Sequence, residues 1–303
     1  MDRLPQIAEI AMLVFMVSNM LAFGMRLSLR EAIAPFRDTK LTLKALIANF
    51  VIVPLAAYLL TRLFHPNPAY SMGIILLAAS GGDPGVTKAS QLAKGDPAYT
   101  LATMIGLQVV TVFYMPLMLP RLLSGVTVNP VKIASPLVIF LLLPLCVGFF
   151  IHTRWHNLAR KSWEPLDKFS SVVLVLAIGV FIFIHFDQMR EAFGWRLLFT
   201  CVAFVAIAFF SGFALGGPRK IRRSDLALQT LVRGISAAMV VGLTNFPNNP
   251  DLIVGIILCA VTIILAAAIA SLAWLRFSNV SDETTAARDE EQAGFGSNRL
   301  HTT

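Results

Sequence analysis

Long stretches of apolar residues recur along most of this chain, and they limit its fold more than any motif does. Nine such segments lie at 7–27, 40–64, 69–94, 97–123, 131–152, 168–186, 194–216, 223–246 and 250–275. Each has about the 20 residues that a helix needs to cross the hydrocarbon core of a bilayer. Because lipid offers the backbone no hydrogen-bond partners, every segment must be a helix, or a helix broken inside the protein. The pattern predicts an all-α membrane protein with nine transmembrane segments.

The composition agrees with a location in the membrane. Hydrophobic residues make up 56% of the chain and charged residues only 14%, whereas soluble domains carry about 25% charged residues. A net charge of +8 would suggest a nucleic-acid partner for a soluble protein, but here the basic residues collect in short loops on one side of the predicted membrane. We therefore expect the lipid bilayer as a partner and no nucleic acid.

Lysine and arginine residues near the ends of the segments predict the orientation of the chain. Most of them fall on the side that holds Arg26 and Arg276, which is therefore expected to be cytoplasmic. The prediction is a multi-pass protein of the cell (inner) membrane with its N-terminus outside and its C-terminus in the cytoplasm. The first segment is interpreted as a span and not as a removed signal peptide. Residues 1–275 form a single transmembrane domain, and the polar residues 276–303 form a disordered cytoplasmic tail.

Two of the segments contain residues that interrupt a helix. The third is interrupted by glycine and proline residues on both sides of Asp83, namely Gly81, Gly82, Pro84 and Gly85. Such a run breaks helical hydrogen bonding, and the apolar helix before it, about 18 Å long at 1.5 Å per residue, reaches the middle of the bilayer. The eighth segment has a weaker break at Arg233 and Gly234, again near its middle.

The broken segments occupy matching places in the chain. If residues 7–123 and 168–275 are two halves joined by the connecting span 131–152, the broken segment is the third in each half. Five spans separate corresponding segments, so the second half runs through the membrane in the opposite direction. Interrupted segments at corresponding places of two inverted halves indicate the binding site of a transporter. The prediction is an inverted repeat with two crossing discontinuous helices.

Two cationic residues lie beside the breaks. Lys88 follows the first break and Arg233 stands in the second, where a charge at the centre of a span costs about 2.5–3.5 kcal/mol. We interpret them as fixed positive charges that bind an anion, helped by the free N–H groups of the half-helices that start after the breaks. The alternative is that both are solvated or paired. Asp83 is placed to cap the helix that follows it, or to pair with either cation.

Polar residues surround the same two breaks. Thr87 and Ser236 are candidate substrate ligands, and Gln229, Thr100 and Thr230 are candidates for binding or coupling an ion. Each alone is more often a helix-packing residue than a ligand, and only the grouping singles them out. The sequence has no metal-ligand spacing such as HExxH or CxxC and no nucleophile motif such as GxSxG. We therefore predict no metal, no cofactor and no enzymatic activity.

Two stretches of the sequence resemble the bile acid:sodium symporter family. They are SGGDPGVTKASQLAKGDPAYTLA at 80–102 and SAAMVVGLTNF at 236–246. The resemblance implies a fold with a core domain that contains two crossing broken helices, and a panel domain that moves against it. It also implies transport of a small organic anion, with sodium as the coupling ion in the sodium-coupled members.

The chain departs from the sodium-coupled members at the positions that the resemblance assigns to sodium. Where those members have a polar pair after the first break, this chain has Val86 and Thr87, and where they have a glutamate and a glutamine it has Gln229 and Arg233. Thr100 keeps a polar position of the family. The prediction is a transporter of small organic anions in which Lys88 and Arg233 supply the charge of the missing sodium ions.

Transport would then be sodium-independent, as uniport, exchange, or proton coupling through Lys88. The main alternative is a sodium-coupled symporter with relocated ion sites, so Na⁺ or H⁺ both remain candidate coupling ions. Alternatives of other classes are a membrane-embedded sensor or scaffold without transport, a channel, and a membrane enzyme.

Overall fold

The computed structural model describes residues 4–28, 30–31, 38–123, 129–192, 194–217, 220–247 and 249–299. These residues form helices and connecting turns, and no strand occurs among them. The helices are α1 (Leu4–Arg26), α2 (Thr39–Phe64), α3 (Pro68–Ala79), α4 (Gly85–Leu92), α5 (Pro97–Leu122), α6 (Pro130–Arg154), α7 (His156–Ile184), α8 (Phe186–Ala192), α9 (Trp195–Leu215), α10 (Lys220–Leu231), α11 (Ile235–Asn245) and α12 (Pro250–Arg299). The all-α prediction is confirmed.

Eight helical stretches of the described residues are long and apolar enough to cross a membrane. They are Gln6–Arg26, Thr39–Phe64, Tyr99–Leu122, Pro130–Arg154, His156–Ile184, Trp195–Leu215, Ile221–Asn245 and Pro250–Arg276. The predicted third segment is divided between α3, with 12 residues, and α4, with 8, each too short to cross alone. The chain is therefore a multi-pass membrane protein, while the count of nine crossings stays a prediction.

Several helices begin at a side-chain cap followed by proline. Asn67 accepts a hydrogen bond from the Ala69 amide at 2.9 Å, one residue before Pro68 opens α3. Asn129 caps α6 in the same way, by accepting from the Val131 amide at 2.9 Å. Asparagine satisfies a free N–H group, and proline has none to leave unpaired. These caps fix where the apolar helices start.

Helices α2 and α6 each contain a π-helical turn next to a proline. The turns are Ala48–Ile52 and Val138–Leu142, and Pro54 and Pro144 follow them. Proline lacks an N–H group, and its ring displaces the carbonyl four residues earlier, so the backbone widens at this point. A π turn leaves carbonyl groups available for partners outside the helix.

The helices pack in two groups. In the first, α1 packs chiefly against α6 and α7, and Gly24 lies so close to Gly148 that an added Cβ would stand 2.8 Å from the Gly148 Cα. In the second, α9 packs against α10 and α2, and α12 packs against α3. Glycine contacts of this kind let membrane helices approach closely. Helices α5 and α11 contact α6 where the two groups meet.

Helix α12 continues far beyond the last apolar residues. It runs from Pro250 to Arg299, 50 residues, or about 75 Å at 1.5 Å per residue, which exceeds the roughly 30 Å of hydrocarbon. Alanine, glutamate and arginine, which are frequent beyond residue 276, have high helix propensity. The disorder expected for the tail 276–303 stays a prediction.

Candidate functional site

The two breaks lie where the glycine and proline residues predict them, and they touch each other. Helix α3 ends at Ala79 and α4 begins at Gly85, while α10 ends at Leu231 and α11 begins at Ile235. The Gly234 amide donates a hydrogen bond to the carbonyl oxygen of Ser80 at 3.2 Å. The interrupted helices therefore meet at their interruptions.

Gly82 makes the first break possible. Its φ is +76°, a backbone conformation that side chains with a Cβ rarely adopt. A Cβ there would also lie 2.4 Å from the carbonyl oxygen of Met104 in α5. The neighbouring Gly81 amide donates to Thr111 Oγ1, also in α5, at 2.8 Å. Helix α5 thus supports the broken backbone directly.

Asp83 caps two helices at once. Its Oδ1 accepts from the Gly85 amide at 2.9 Å and its Oδ2 accepts from the Ile235 amide at 3.2 Å. One carboxylate therefore occupies the starts of both α4 and α11, where the helix dipoles are positive. Sequence reasoning offered the start of α4 both to Asp83 as a cap and, with the start of α11, to an anionic substrate. In the structure Asp83 accepts hydrogen bonds from both helix starts.

Arg233 is completely buried in the second break, with no exposed surface. Its Nη1 donates to Asn49 Oδ1 at 2.6 Å, and its Nη2 donates to the Asn49 carbonyl at 3.2 Å and the Ala78 carbonyl at 2.5 Å. Its Nε donates to the Leu77 carbonyl at 3.5 Å. The guanidinium is thus bound by oxygen atoms of α2 and α3.

The position of the Arg233 guanidinium follows from the backbone around it. Helix α3 ends inside the protein, so its last carbonyl groups need donors, and they form the negative end of the helix dipole. The π turn of α2 frees the Asn49 carbonyl to face the same point. A cation at this position satisfies all of these oxygens. Arg233 provides that cation from within the chain.

Lys88 occupies a different environment. It is exposed, in α4, and its Nζ donates to Ser171 Oγ of α7 at 3.5 Å. The two cations were expected to form one deep site, but only Arg233 is buried at the breaks. Because α7 belongs to the first helix group and α4 contacts the second, Lys88 lies at the boundary between the groups.

The other predicted substrate residues differ in their freedom to bind. Thr87 Oγ1 donates to the Pro84 carbonyl at 2.8 Å and so stabilises the start of α4. Ser236 Oγ is buried, and no described residue provides it with a hydrogen-bond partner. Ser236 Oγ and Gln229 Oε1 are therefore two buried polar atoms beside the second break to which no described residue is hydrogen-bonded.

Gln229 and Thr100, two of the predicted ion-binding residues, lie together. Gln229 Nε2 donates to the Thr100 carbonyl at 2.7 Å, and Thr100 Oγ1 donates to Ser90 Oγ at 3.1 Å. Ser90 Oγ in turn donates to Asp225 Oδ1 at 2.6 Å, and the Asp96 amide donates to Asp225 Oδ2 at 3.0 Å. The result is a buried polar cluster that joins α4, α5 and α10.

Thr230, the third predicted ion-binding residue, does not belong to this cluster. Its Oγ1 donates within its own helix, to the carbonyls of Leu226 and Ala227, each at 3.0 Å. It also faces α9, because a Cβ added to Gly212 would stand 2.1 Å from Thr230 Oγ1. Thr230 therefore packs α10 against α9 and is not placed as an ion ligand.

Sequence reasoning missed Asn49 and Asp225. Asn49 is a single asparagine in an apolar run, and only the π turn of α2 and its contact with Arg233 reveal its importance. Asp225 did carry a signal, since it stands four residues before Gln229 and so lies on the same face of the helix. Within the described residues, no three His, Cys, Asp or Glu side chains cluster as transition-metal ligands do.

Comparison with known proteins shows several relatives at low identity. The chain is 24% identical over 227 residues to the probable sodium/metabolite cotransporter BASS3, chloroplastic, of Arabidopsis thaliana, covering 74% of this chain and 53% of that protein. The corresponding protein of Oryza sativa subsp. japonica is also 24% identical, covering 74% of this chain and 54% of that protein. The P3 protein of Homo sapiens is 26% identical over 175 residues, 54% of this chain and 37% of that protein.

The chain spans about half the length of the first two of these curated relatives. A family pattern, that of the sodium bile acid symporter family, matches residues 12–191. This match covers α1 to α8, including the first break and the cation Lys88. It extends over more than half of the 303 residues. The family is one of transporters and not of enzymes. The interrupted helices, their contact and this match lead to one conclusion: the chain belongs to the sodium bile acid symporter family.

Proposed function

We propose that the protein is a secondary transporter of a small organic anion, with the substrate bound where the two helix groups meet beside the broken helices. The observation that carries this proposal is the burial of Arg233 at the contact between the two interruptions. Unwound carbonyls and the C-terminal ends of half-helices are the places where transporters of this kind coordinate a coupling cation. In this chain a guanidinium stands there.

The proposed topology has nine crossings. Helices α3 and α4 together make one crossing, broken at Ser80–Pro84, and α10 and α11 make another. The halves 7–123 and 168–275 are inverted copies, with the N-terminus outside and the C-terminus in the cytoplasm of the cell membrane. In this arrangement α1, α6 and α7 form the panel, and the remaining helices form the core that carries both breaks.

Arg233 takes the place of one coupling ion. It is covalently fixed and bonded to four oxygens, so it keeps the end of α3 neutralised throughout the transport cycle. A sodium ion and a guanidinium cannot occupy the same position. Binding of sodium at this point of the family fold is therefore excluded by the proposal.

Lys88 is the proposed contact for the anionic group of the substrate. It is exposed at the boundary between core and panel, where its Nζ already reaches a hydroxyl group of α7. Ser236 Oγ, buried without a described partner, offers a second hydrogen bond beside the break. The relatives are named as sodium/metabolite cotransporters, and for this chain we take the substrate class to be small organic acids.

The first test is transport by the purified full chain in proteoliposomes. A thermal-shift screen of organic acids selects the probe, and its radiolabelled form is then assayed for saturable counterflow. The proposal expects counterflow that an excess of unlabelled acid inhibits. A sensor or scaffold would bind an acid without counterflow, and a channel would show flux that does not saturate; either result would overturn the proposal.

The second test concerns Lys88. We expect Lys88→Gln to raise KM for the organic acid by about tenfold or more, because a hydrogen bond to a charged group contributes about 1.5–3 kcal/mol. Lys132→Gln is the matched control, because Lys132 is an exposed lysine of α6 that the proposal leaves unused. Equal kinetics for Lys88→Gln and the control would remove Lys88 from the substrate site.

A further inference from the structure

An apolar groove of about 560 Å³ lies between α9 and α12. It extends from Val202 to Phe213 along α9 and from Ala266 to Trp274 along α12, and Leu231 of α10 also lines it. All of its lining side chains are apolar or aromatic. We propose that this groove binds one acyl chain of an anionic phospholipid whose phosphate group pairs with Arg223 at one end.

The groove opens to the surface within the apolar parts of two helices. Val202 and Ile269, one on each wall, are exposed, and both belong to stretches long and apolar enough to cross a membrane. A surface at that depth meets acyl chains and not water. The small residues Ala206 and Ala270 on the two walls leave the space that such a chain fills. The chemistry of the groove therefore fits hydrocarbon.

The length of the groove matches one leaflet of a bilayer. From Val202 to Phe213, α9 rises about 17 Å at 1.5 Å per residue, which is close to half of a hydrocarbon core about 30 Å thick. Phe213 and Trp274 lie at one end, with their ring centres 6.2 Å apart. Aromatic side chains collect at the level of the lipid headgroups. A chain in the groove would therefore have its headgroup beside these two rings.

Arg223 of α10 provides positive charge at this end of the groove. Its guanidinium carbon lies 4.8 Å from the centre of the Phe213 ring. Gly216, which follows α9, permits this close packing, because an added Cβ there would stand 2.4 Å from the Arg223 Cα. The Nε of Arg223 is buried, and no described residue accepts a hydrogen bond from it. A buried donor of a charged group calls for an acceptor, which a lipid phosphate would supply.

The neighbouring charges favour an anionic headgroup over a neutral one. Arg222 is paired with Asp38 at 2.9 Å, whereas no described carboxylate is paired with Arg223. Arg276, which is exposed, follows Trp274 by two residues in α12 and adds positive charge at the same end. Basic residues at the ends of membrane helices attract anionic lipids, and a guanidinium can bind a phosphate through two parallel hydrogen bonds.

The groove and the charge together select one class of ligand. A neutral acyl chain would fill the groove but leave Arg223 without an acceptor, and a free phosphate ion would pair with Arg223 but leave the groove unfilled. An anionic phospholipid satisfies both parts. Such a lipid would bind whether or not the chain transports an organic acid, so its binding is measured without any acid present.

The test is native mass spectrometry of the purified full chain with added phosphatidylglycerol or phosphatidylcholine that carry identical acyl chains. We expect one phosphatidylglycerol molecule to stay bound under conditions that remove phosphatidylcholine, because the two headgroups differ in net charge. Arg223→Gln should weaken the binding of phosphatidylglycerol by about fivefold or more and leave that of phosphatidylcholine unchanged. Arg223→Lys keeps the charge and should restore part of the preference.

The matched control for the charge is Arg196→Gln. Arg196 is an exposed arginine near the other end of α9, and its guanidinium carbon also lies against an aromatic ring, 5.6 Å from the centre of Trp195. The preference for phosphatidylglycerol should survive in this variant. Equal retention of the two lipids by the unaltered protein would overturn the proposal, and so would an equal preference in the Arg196 and Arg223 variants.

A second pair of variants tests the acyl chain. Ala270→Leu fills the groove and should weaken the binding of both lipids. Ala268→Leu adds the same side chain at an exposed position of α12 outside the groove, and it should have no effect. If Ala270→Leu changes nothing while inorganic phosphate displaces phosphatidylglycerol, the site takes a free anion and the proposal is wrong.

The same spectra report the oligomeric state of the chain. If the unaltered protein is a dimer without bound lipid, and Ala270→Leu makes it a monomer, then a second copy of the chain covers the groove. That result would also overturn the proposal.

Discussion

At the scale of single residues, the two cations beside the breaks, Lys88 and Arg233, lie in different surroundings: Lys88 is exposed and Arg233 is completely buried. Both cations beside the breaks were found from the sequence, because a charge inside an apolar run is conspicuous. Their roles were not, because the partners of Arg233 lie as far as 184 positions away in sequence. Asn49 presents its carbonyl only because Pro54 disturbs the helix around it. Such long-range contacts leave no local pattern in the chain.

The burial of Arg233 leads to a prediction about stability. We expect Arg233→Leu to destabilise the protein by about 3–5 kcal/mol, because it removes one partner of a buried charged network and leaves the Asn49 and Ala78 oxygens without donors. Arg233→Lys should recover only part of this loss, since an ammonium group cannot reproduce the planar fork. The measurement is thermal unfolding in detergent.

The control for this prediction is the substitution Arg196→Leu. Arg196 is an exposed arginine at the start of α9, and its guanidinium lies 5.6 Å from the centre of the Trp195 ring. Its effect should stay within about 0.5 kcal/mol. If the Arg233 and Arg196 variants unfold at the same temperature, the guanidinium of Arg233 is not the group that holds α2 and α3 together.

At the scale of elements, the sequence predicted the helices and both interruptions. Glycine and proline at 81–85 prevent a helix for reasons contained in the backbone itself, so the first break could be located to the residue. The geometry of the break could not be predicted from the sequence, because the conformation of Gly82 depends on the approach of α5. Asp83 was recognised as a cap for α4, but its second bond, to α11, depends on the meeting of the two breaks.

The break at Gly82 leads to a prediction about helix geometry. We expect Gly82→Ala to destabilise the protein by at least about 1–2 kcal/mol, because alanine is strained at positive φ and its Cβ would collide with the Met104 carbonyl. Gly179→Ala provides the contrast. Gly179 lies in α7 with open space around it, so alanine there should be neutral or stabilise by up to about 1 kcal/mol. Thermal unfolding of both variants is the measurement, and equal effects would contradict the strained geometry.

At the scale of the whole molecule, two groups of helices meet along a boundary that Lys88 and Ser171 bridge. The multi-pass, all-helical character of the chain was readable from the sequence because lipid imposes long apolar helices, while the count of nine crossings stays a prediction. Which helices belong to each group could not be predicted from the sequence, since that depends on which helix faces are complementary. The buried cluster around Asp225 could not be predicted either, because its residues come from three separate helices.

The boundary leads to a prediction about movement. With the three native cysteines replaced by alanine, we expect a reversible bifunctional maleimide reagent that joins cysteines at positions 88 and 171 to abolish counterflow. The physical reason is that the proposed transport cycle requires the two helix groups to move against each other. The measurement is counterflow before and after cleavage of the reagent, with the single cysteine at 171 as control. Full activity of the cross-linked protein would show that these groups do not separate.

The guanidinium of Arg233 is part of the chain and never dissociates, which affects the energetics of uptake. If one monovalent coupling cation, Na⁺ or H⁺, accompanies one monovalent organic anion, the cargo is electroneutral, and the membrane voltage performs no net work on it. Each uncompensated elementary charge would instead gain about 2.3 kcal/mol per 100 mV. Only the concentration difference of that cation would then set how far the acid accumulates, and depolarising the membrane would leave the extent of accumulation unchanged.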